Sequence, residues 1–200
     1  MSGRQGAADG EPGAPPRRAS HDDARLLARI AERDLKAFEQ LYRDYHPRLT
    51  RFLSVVMRRP QLVEEVLNDT MLVVWKQPER FNGRSKVSTW IFAIAYRTAL
   101  KALRRHDEPL EDRDAETRPS GEAGPEQQLG ARQAQVALLA ALDELSPDHR
   151  AVVDLTYFHE IGYRDIAELM DCPVDTVKTR MFHARRRLRS KLAGSLADWL

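Results

Sequence analysis

The chain has 200 residues, 42% of them hydrophobic, with 32 Lys and Arg against 30 Asp and Glu, which allows one large domain or two small ones with real cores. Its single cysteine, Cys172, excludes an internal disulfide and has no His or Cys partner at metal-ligand spacing, as expected in a reducing cytoplasm. No run approaches the roughly 20 apolar residues of a membrane span, and the N-terminus lacks an apolar core after its charges, so a soluble, cytoplasmic protein is expected.

The net charge of +2 hides segregation, because an acidic block fills the middle and the last third ends in a basic run. Local basicity, not the total, is what phosphate binding needs. Residues 1–20 are rich in Gly, Ala, Pro and Arg without periodicity and read as a disordered leader. Ser20 followed by Asp23 then resembles a capping box. Leu26, Leu27 and Ile30, next Phe38, Leu41, Tyr42 and Tyr45, and next Leu49, Phe52, Leu53, Val56 and Met57 fall at helical spacing. The stretch from Leu62 to Lys76 is equally helical. It gathers Glu64, Glu65, Asn68 and Asp69 near one face, which suits docking on a basic partner helix or is simply solvated.

Turn residues at Phe81-Asn82-Gly83-Arg84-Ser85-Lys86 break the pattern, after which Ser88 or Thr89 is expected to cap a long helix reaching Arg105. Stepping about 100° per residue puts Phe92, Tyr96, Ala99 and Leu103 on an apolar stripe. Trp90, Ile94, Arg97, Lys101, Arg104 and Arg105 lie on another. A Trp among cations suits stacking on an unpaired base beside phosphates; the other reading packs Trp90 and Ile94 against a neighbouring helix. From 106 to 130, Pro and Gly alternate with Asp and Glu, as in an extended acidic linker.

Periodicity resumes with Val136, Leu139, Leu142 and Leu145, and Ser146-Pro147-Asp148 marks a helix start with Ser as cap. Tyr163, Ile166, Ala167 and Met170 then define a helix that Asp171-Cys172-Pro173 ends. On the next helix Val177, Met181, Ala184 and Leu188 face inward, opposite Lys178, Thr179, Phe182, His183, Arg186 and Arg189. A solvated basic last turn complementing the helix dipole explains Arg185 to Lys191. It leaves Phe182 unexplained, whereas a helix-turn-helix recognition helix uses such an edge on a thymine methyl or a sugar.

Three segments together resemble the bacterial sigma-70 family of transcription initiation factors, in its short extracytoplasmic-function subgroup. Residues 34–45 and 65–75 are similar to the parts of region 2 that build its core and bind polymerase. Phe81 to Arg105, with Ser88-Thr-Trp-Ile-Phe-Ala-Ile-Ala95, is similar to the promoter-melting part, and Tyr163 to Arg185 to region 4. The resemblance implies an all-α protein of two small helical domains, region 2 over 21–105 and a helix-turn-helix region 4 over 131–200, joined by the flexible acidic linker.

It further implies that Glu65, Asn68, Asp69 and Thr70 contact core RNA polymerase, whose β′ clamp helices and β subunit are the expected partners. Phe81, Asn82, Arg84, Ser85, Lys86, Trp90, Arg97 and Lys101 become the reader of the promoter −10 element. Lys178, Thr179, Phe182 and His183 would read the −35 element, with Arg180, Arg185 and Arg186 mainly on phosphates. Arg97 stands where the family often has Asn, Asn68-Asp69 replaces a common Gln-Glu pair, and Asp175 occupies a position where Gly is frequent. A cognate anti-sigma factor is a further implied partner.

No cofactor, metal ligand or catalytic residue is expected, since His21, His46, His106, His149, His159 and His183 are scattered without a base or metal partner at useful spacing. The alternative is a helix-turn-helix regulator that is not a polymerase subunit. That reading leaves the Trp-bearing basic helix without a role.

Overall fold

The structure, a computed structural model, describes residues 18–107 and 140–191. Four helices form a first unit: α1 (Arg18–Ala31), α2 (Leu35–Met57), α3 (Pro60–Lys76) and, after a 3-10 turn at Pro78–Arg80, α4 (Val87–Asp107). A second unit holds α5 (Pro147–Tyr157), α6 (Tyr163–Met170) and α7 (Val174–Lys191). The described residues contain no strand, in keeping with the all-α expectation. None of the helices is long and apolar enough to cross a membrane. Residues 1–17, the segment 108–139 that includes most of the predicted acidic linker, and 192–200 lie outside the described residues.

Local chemistry sets the helix ends. Asp34 caps α2, its Oδ1 accepting from the backbone N–H of Lys36 at 2.9 Å and of Ala37 at 3.2 Å, which satisfies donors that no helical carbonyl reaches. Its other oxygen takes Arg29 Nη2 at 2.6 Å, fixing the corner between α1 and α2. That bond from Arg29, with the two backbone N–H groups, holds the Asp34 carboxyl below its ordinary value. Along α2, Leu41, Tyr45, Leu49, Phe52, Leu53, Val56 and Met57 of the stripe read from the sequence are buried, Phe38 and Tyr42 are half-buried, and Ala37 joins the buried row.

Two expected caps are corrected. Ser20 lies inside α1 rather than before it, and Asp23 instead accepts a hydrogen bond from Tyr45 Oη at 2.6 Å, tying α1 to α2. Helix α4 begins at Val87, ahead of both Ser88 and Thr89; Thr89 is buried, and the Lys86 carbonyl accepts from Trp90 N at 3.1 Å. Apolar burial of Val87 therefore draws the helix start upstream of the polar pair.

In the second unit the Ser146 cap holds, its hydroxyl accepting from the backbone N–H of His149, with Pro147 at the first helical position. Helix α6 ends at Asp171 in the left-handed conformation, φ 51°, where Gly or Asn is commoner, and Cys172 N closes back on the Ala167 carbonyl at 3.0 Å. Pro173 follows and α7 starts anew, giving the helix-turn-helix. The two units do not stand apart: α5 packs on α2 and α6 on α4, so that one apolar core runs through both.

Candidate nucleic-acid interface

Helix α7 buries Val177, Met181, Ala184 and Leu188 and leaves Lys178, Thr179, Phe182, His183, Arg185, Arg186 and Arg189 in solvent. Phe182 is 62% exposed, the largest exposure among the big apolar side chains of the described residues, and its ring lies 5.5 Å from that of His183. Lys178 Nζ is 2.9 Å from Asp175 Oδ1, so the carboxylate that would repel a phosphate is matched by a neighbouring cation. Arg185 Nε donates to Tyr157 Oη at 2.9 Å while its side chain stays at the surface. Arg186 and Arg189 form no ion pair among the described residues.

Arg180 departs from the expectation of a phosphate contact. It turns inward, half-buried, and its guanidinium pairs with Asp148 at the start of α5. The angular position of Arg180, one residue before the buried Met181, points it toward α5 rather than outward.

The second basic surface lies between the 81–86 turn and α4. Asn82 Oδ1 accepts from the backbone N–H of Arg84 at 3.0 Å and Gly83 takes φ 72°, a local turn that Gly makes without strain. Trp90 is half-buried, its ring 5.6 Å from that of Phe81. Arg84, Ser85, Trp90 and Arg97 line a cleft of about 330 Å³, and Glu168 and Leu169 of α6 close its other side. Ile94 is 7% exposed, so the packing reading holds for it, while Arg97, Arg104 and Arg105 face solvent. Lys86 is exposed beside the turn. Lys101 sits outside the cleft, in a groove of about 340 Å³ between α3 and α4 that Asp69 and Leu72 also line.

On α3, Glu64, Glu65, Asn68 and Asp69 are exposed together with Leu72, which is 45% exposed. Tyr42 Oη donates to Asn68 Oδ1 at 3.1 Å and so orients that amide. Thr70 is the correction here: it is fully buried, its hydroxyl donating to the Val66 carbonyl at 2.7 Å, and it presents nothing to a partner. Val66, Thr70 and Val74 form an inward i, i+4 row.

The sequence reading missed a cluster of polar groups between the units. Tyr96 Oη donates to Asp148 Oδ1 at 2.6 Å, and burial, with that bond, pushes the Tyr96 phenol well up. Buried Arg150 donates to the Val56 carbonyl, and burial lowers its pKa. Asp154, 1% exposed, lies 3.1 Å from His159 Nε2 and 3.6 Å from Arg51 Nε. His159 thus has the carboxylate partner its spacing hid, both side chains are buried, and the Phe92 ring lies 4.3 Å from the imidazole. Only the amphipathic marks of these side chains were visible in sequence, since their partners lie far along the chain.

Two basic, aromatic-bearing helical surfaces thus lie beside an acidic, apolar-edged one, a chemistry suited to phosphates and bases on the one hand and to a basic partner on the other. The pattern of Sigma-70 region 2 matches residues 41–108, and that of Sigma-70, region 4 matches residues 135–188. The chain is 28% identical over 180 residues to the ECF RNA polymerase sigma-E factor of Haemophilus influenzae, covering 85% of this chain and 95% of that protein. It is 29% identical over 162 residues to the ECF RNA polymerase sigma factor RpoE of Cereibacter sphaeroides, covering 80% of this chain and 89% of the relative. Its fold is similar to that of CnrH, solved with the cytosolic domain of CnrY, with a TM-score of 0.64 at 22% identity over 87% of this chain and 99% of that one. The sigma factor RpoE solved with the anti-sigma factor NepR from Bartonella quintana gives a TM-score of 0.62 at 22% identity, over 80% of this chain and 99% of that one. The chain belongs to the sigma-70 family, in its extracytoplasmic-function branch.

Proposed function

We propose that the chain works in the cytoplasm as a dissociable initiation factor that places core RNA polymerase on a promoter and stabilises strand opening, performing no bond chemistry itself. The observation that carries this reading is the pairing of two DNA-suited surfaces in one sigma-70 chain. Exposed Phe182 stands among the cations of α7, and Trp90 stands beside Arg84 and Arg97 in a cleft of the other unit.

In this reading Lys178, Thr179, Phe182 and His183 enter the major groove at the −35 element, and Arg185 and Arg186 hold phosphates. The Phe81–Lys86 turn with Trp90 and Arg97 takes an unpaired base of the −10 element. Extruding such a base costs a few kcal/mol, which stacking of about 1–3 kcal/mol per base and phosphate contacts offset. Glu65, Asn68 and Asp69, with Leu72 at their edge, dock on the β′ clamp helices, and the β subunit is the further polymerase contact. An anti-sigma factor is proposed as a regulatory partner, supported by the two related folds solved with CnrY and NepR. A helix-turn-helix regulator that is not a polymerase subunit accounts for neither the α3 face nor the Trp90 cleft.

The test is permanganate footprinting of promoter DNA with purified core polymerase. Thymines of the −10 region become reactive only when the chain is added, and Trp90→Ala reduces that reactivity. A fully double-stranded −10 region in the presence of both proteins contradicts the reading.

A further inference from the structure

We propose that Asn82 is a site of spontaneous deamidation, and that the carboxylate it becomes lowers the affinity of the Trp90 cleft for single-stranded nucleic acid. The loss of affinity rests on the −10 reading above; the chemistry at Asn82 does not.

The chain contains two asparagines, Asn68 and Asn82, and only Asn82 has the surroundings the reaction needs. Deamidation begins when the backbone nitrogen of the next residue attacks the side-chain carbonyl carbon, so that nitrogen must be reachable and unhindered. After Asn82 comes Gly83, exposed, at φ 72°, with nothing within 4 Å of where a Cβ would stand. No side chain shields its nitrogen, and glycine reaches the conformations that ring closure requires at small cost. The hydrogen bond that Arg84 N–H donates to Asn82 Oδ1, 3.0 Å long, closes a ring containing the Gly83 nitrogen and so folds the side-chain carbonyl over its attacker. The same N–H sits where negative charge develops on Oδ1 during the attack. Asn68 differs on each point. It lies inside α3, the nitrogen after it belongs to Asp69 in the helical ladder, and its Oδ1 accepts from Tyr42 Oη at 3.1 Å.

The Gly83 nitrogen bonds to Asn82 Cγ and gives up its proton to solvent. The Cγ–Nδ2 bond breaks and ammonia leaves, carrying off a proton in exchange, and a cyclic imide remains. Water then opens the imide, at Cγ to give aspartate or at the backbone carbonyl to give isoaspartate. Either way an amide and water become a carboxylic acid and ammonia, with no change of oxidation state.

Asn82 lines the cleft of about 330 Å³ together with Arg80, Arg84, Trp90 and Arg97. A neutral amide leaves these guanidinium groups to meet phosphate, whereas a carboxylate offsets one of their charges and repels the phosphate itself. Isoaspartate also lengthens the backbone within the turn that carries Arg84.

The test holds the purified full chain in neutral buffer beside a synthetic peptide of residues 79–87 until the peptide is fully converted. Samples are cut with trypsin, and liquid chromatography with mass spectrometry separates the amide, aspartate and isoaspartate forms. The fragment with Asn82 converts to both acids, and the fragment with Asn68 keeps its amide. An Asn82 amide still intact when the peptide has turned over overturns the site, as does equal conversion at Asn68. Ion exchange then separates intact from converted chains, and each is titrated with a fluorescent thymidine dodecanucleotide, since stacking on an aromatic tolerates any base. The converted chain binds about fivefold more weakly, with a salt slope lower by about 0.7, one phosphate contact on a single strand. Its circular dichroism matches that of the intact chain, and a loss of helix content overturns the charge account. Equal affinity of the two forms overturns the weakening alone. Binding by neither form overturns the weakening together with the −10 reading, while the peptide maps decide the chemistry at Asn82 without nucleic acid.

Discussion

Arg150 caps the last turn of α2 from the other unit: its Nε and Nη2 donate to the Val56 carbonyl at 3.0 and 2.8 Å, and its Nη1 donates to the Leu145 carbonyl at 2.8 Å. The final carbonyls of a helix have no helical donor, and a cation there also meets the negative end of the helix dipole. One buried side chain thus satisfies α2 and fixes the entry to α5. Arg150→Leu leaves both carbonyls without that donor and should cost about 3 kcal/mol, at about 1–3 kcal/mol per buried unsatisfied group. A urea midpoint equal to that of the wild type would contradict this role.

Phe182→Ala combined with Lys178→Ala should weaken binding to a −35 duplex while leaving random DNA nearly unaffected. Arg186→Ala should weaken both alike and lower the salt slope by about one. Anisotropy titrations at several salt concentrations separate base reading from phosphate contact, and equal losses on both DNAs from the first pair would remove Phe182 from the readers.

Asp69→Lys should reduce affinity for core polymerase, because it reverses charge at the centre of the exposed α3 face. Thr70→Val should leave that affinity unchanged and cost about 1 kcal/mol of stability through its lost bond to the Val66 carbonyl. Competition binding to core enzyme checks both, and a polymerase defect in the Val variant would reinstate Thr70 as a contact.

His149 lies at the start of α5 with its Nδ1 against Ser146 Oγ. Burial first, then the positive charges of Arg180 and His183, depress its pKa below the ordinary 6.5. The unfolded chain therefore takes up a proton more readily than the folded one as pH falls through that ordinary value. Its contribution to stability is complete above it and declines below it. The melting temperature of the wild type should drop more steeply between pH 7 and 5 than that of His149→Gln, and parallel profiles would exclude this histidine as the source.

The parts of the site that rest on local period were legible in the sequence. Val177, Met181, Ala184 and Leu188 face inward and Phe182 outward because a 3.6-residue repeat fixes those angles wherever the helix lies. Asp148, Tyr96 and Arg180 were not legible as a group, since nothing local in the stretch around Tyr96 signals a carboxylate 52 residues away. Thr70 was misplaced by the resemblance, although its position between Val66 and Val74 already put it on the inward row. Arg180 was likewise misplaced by the resemblance, although its angle beside Met181 already directed it to α5.

The most direct measurement of the central claim is run-off transcription by purified core polymerase on templates bound by the reconstituted holoenzyme, with the −10 or the −35 element scrambled in parallel. The account predicts a discrete transcript that requires the added chain and is lost when either element is scrambled. Specific transcripts from core enzyme without the chain, or none with it, would contradict it.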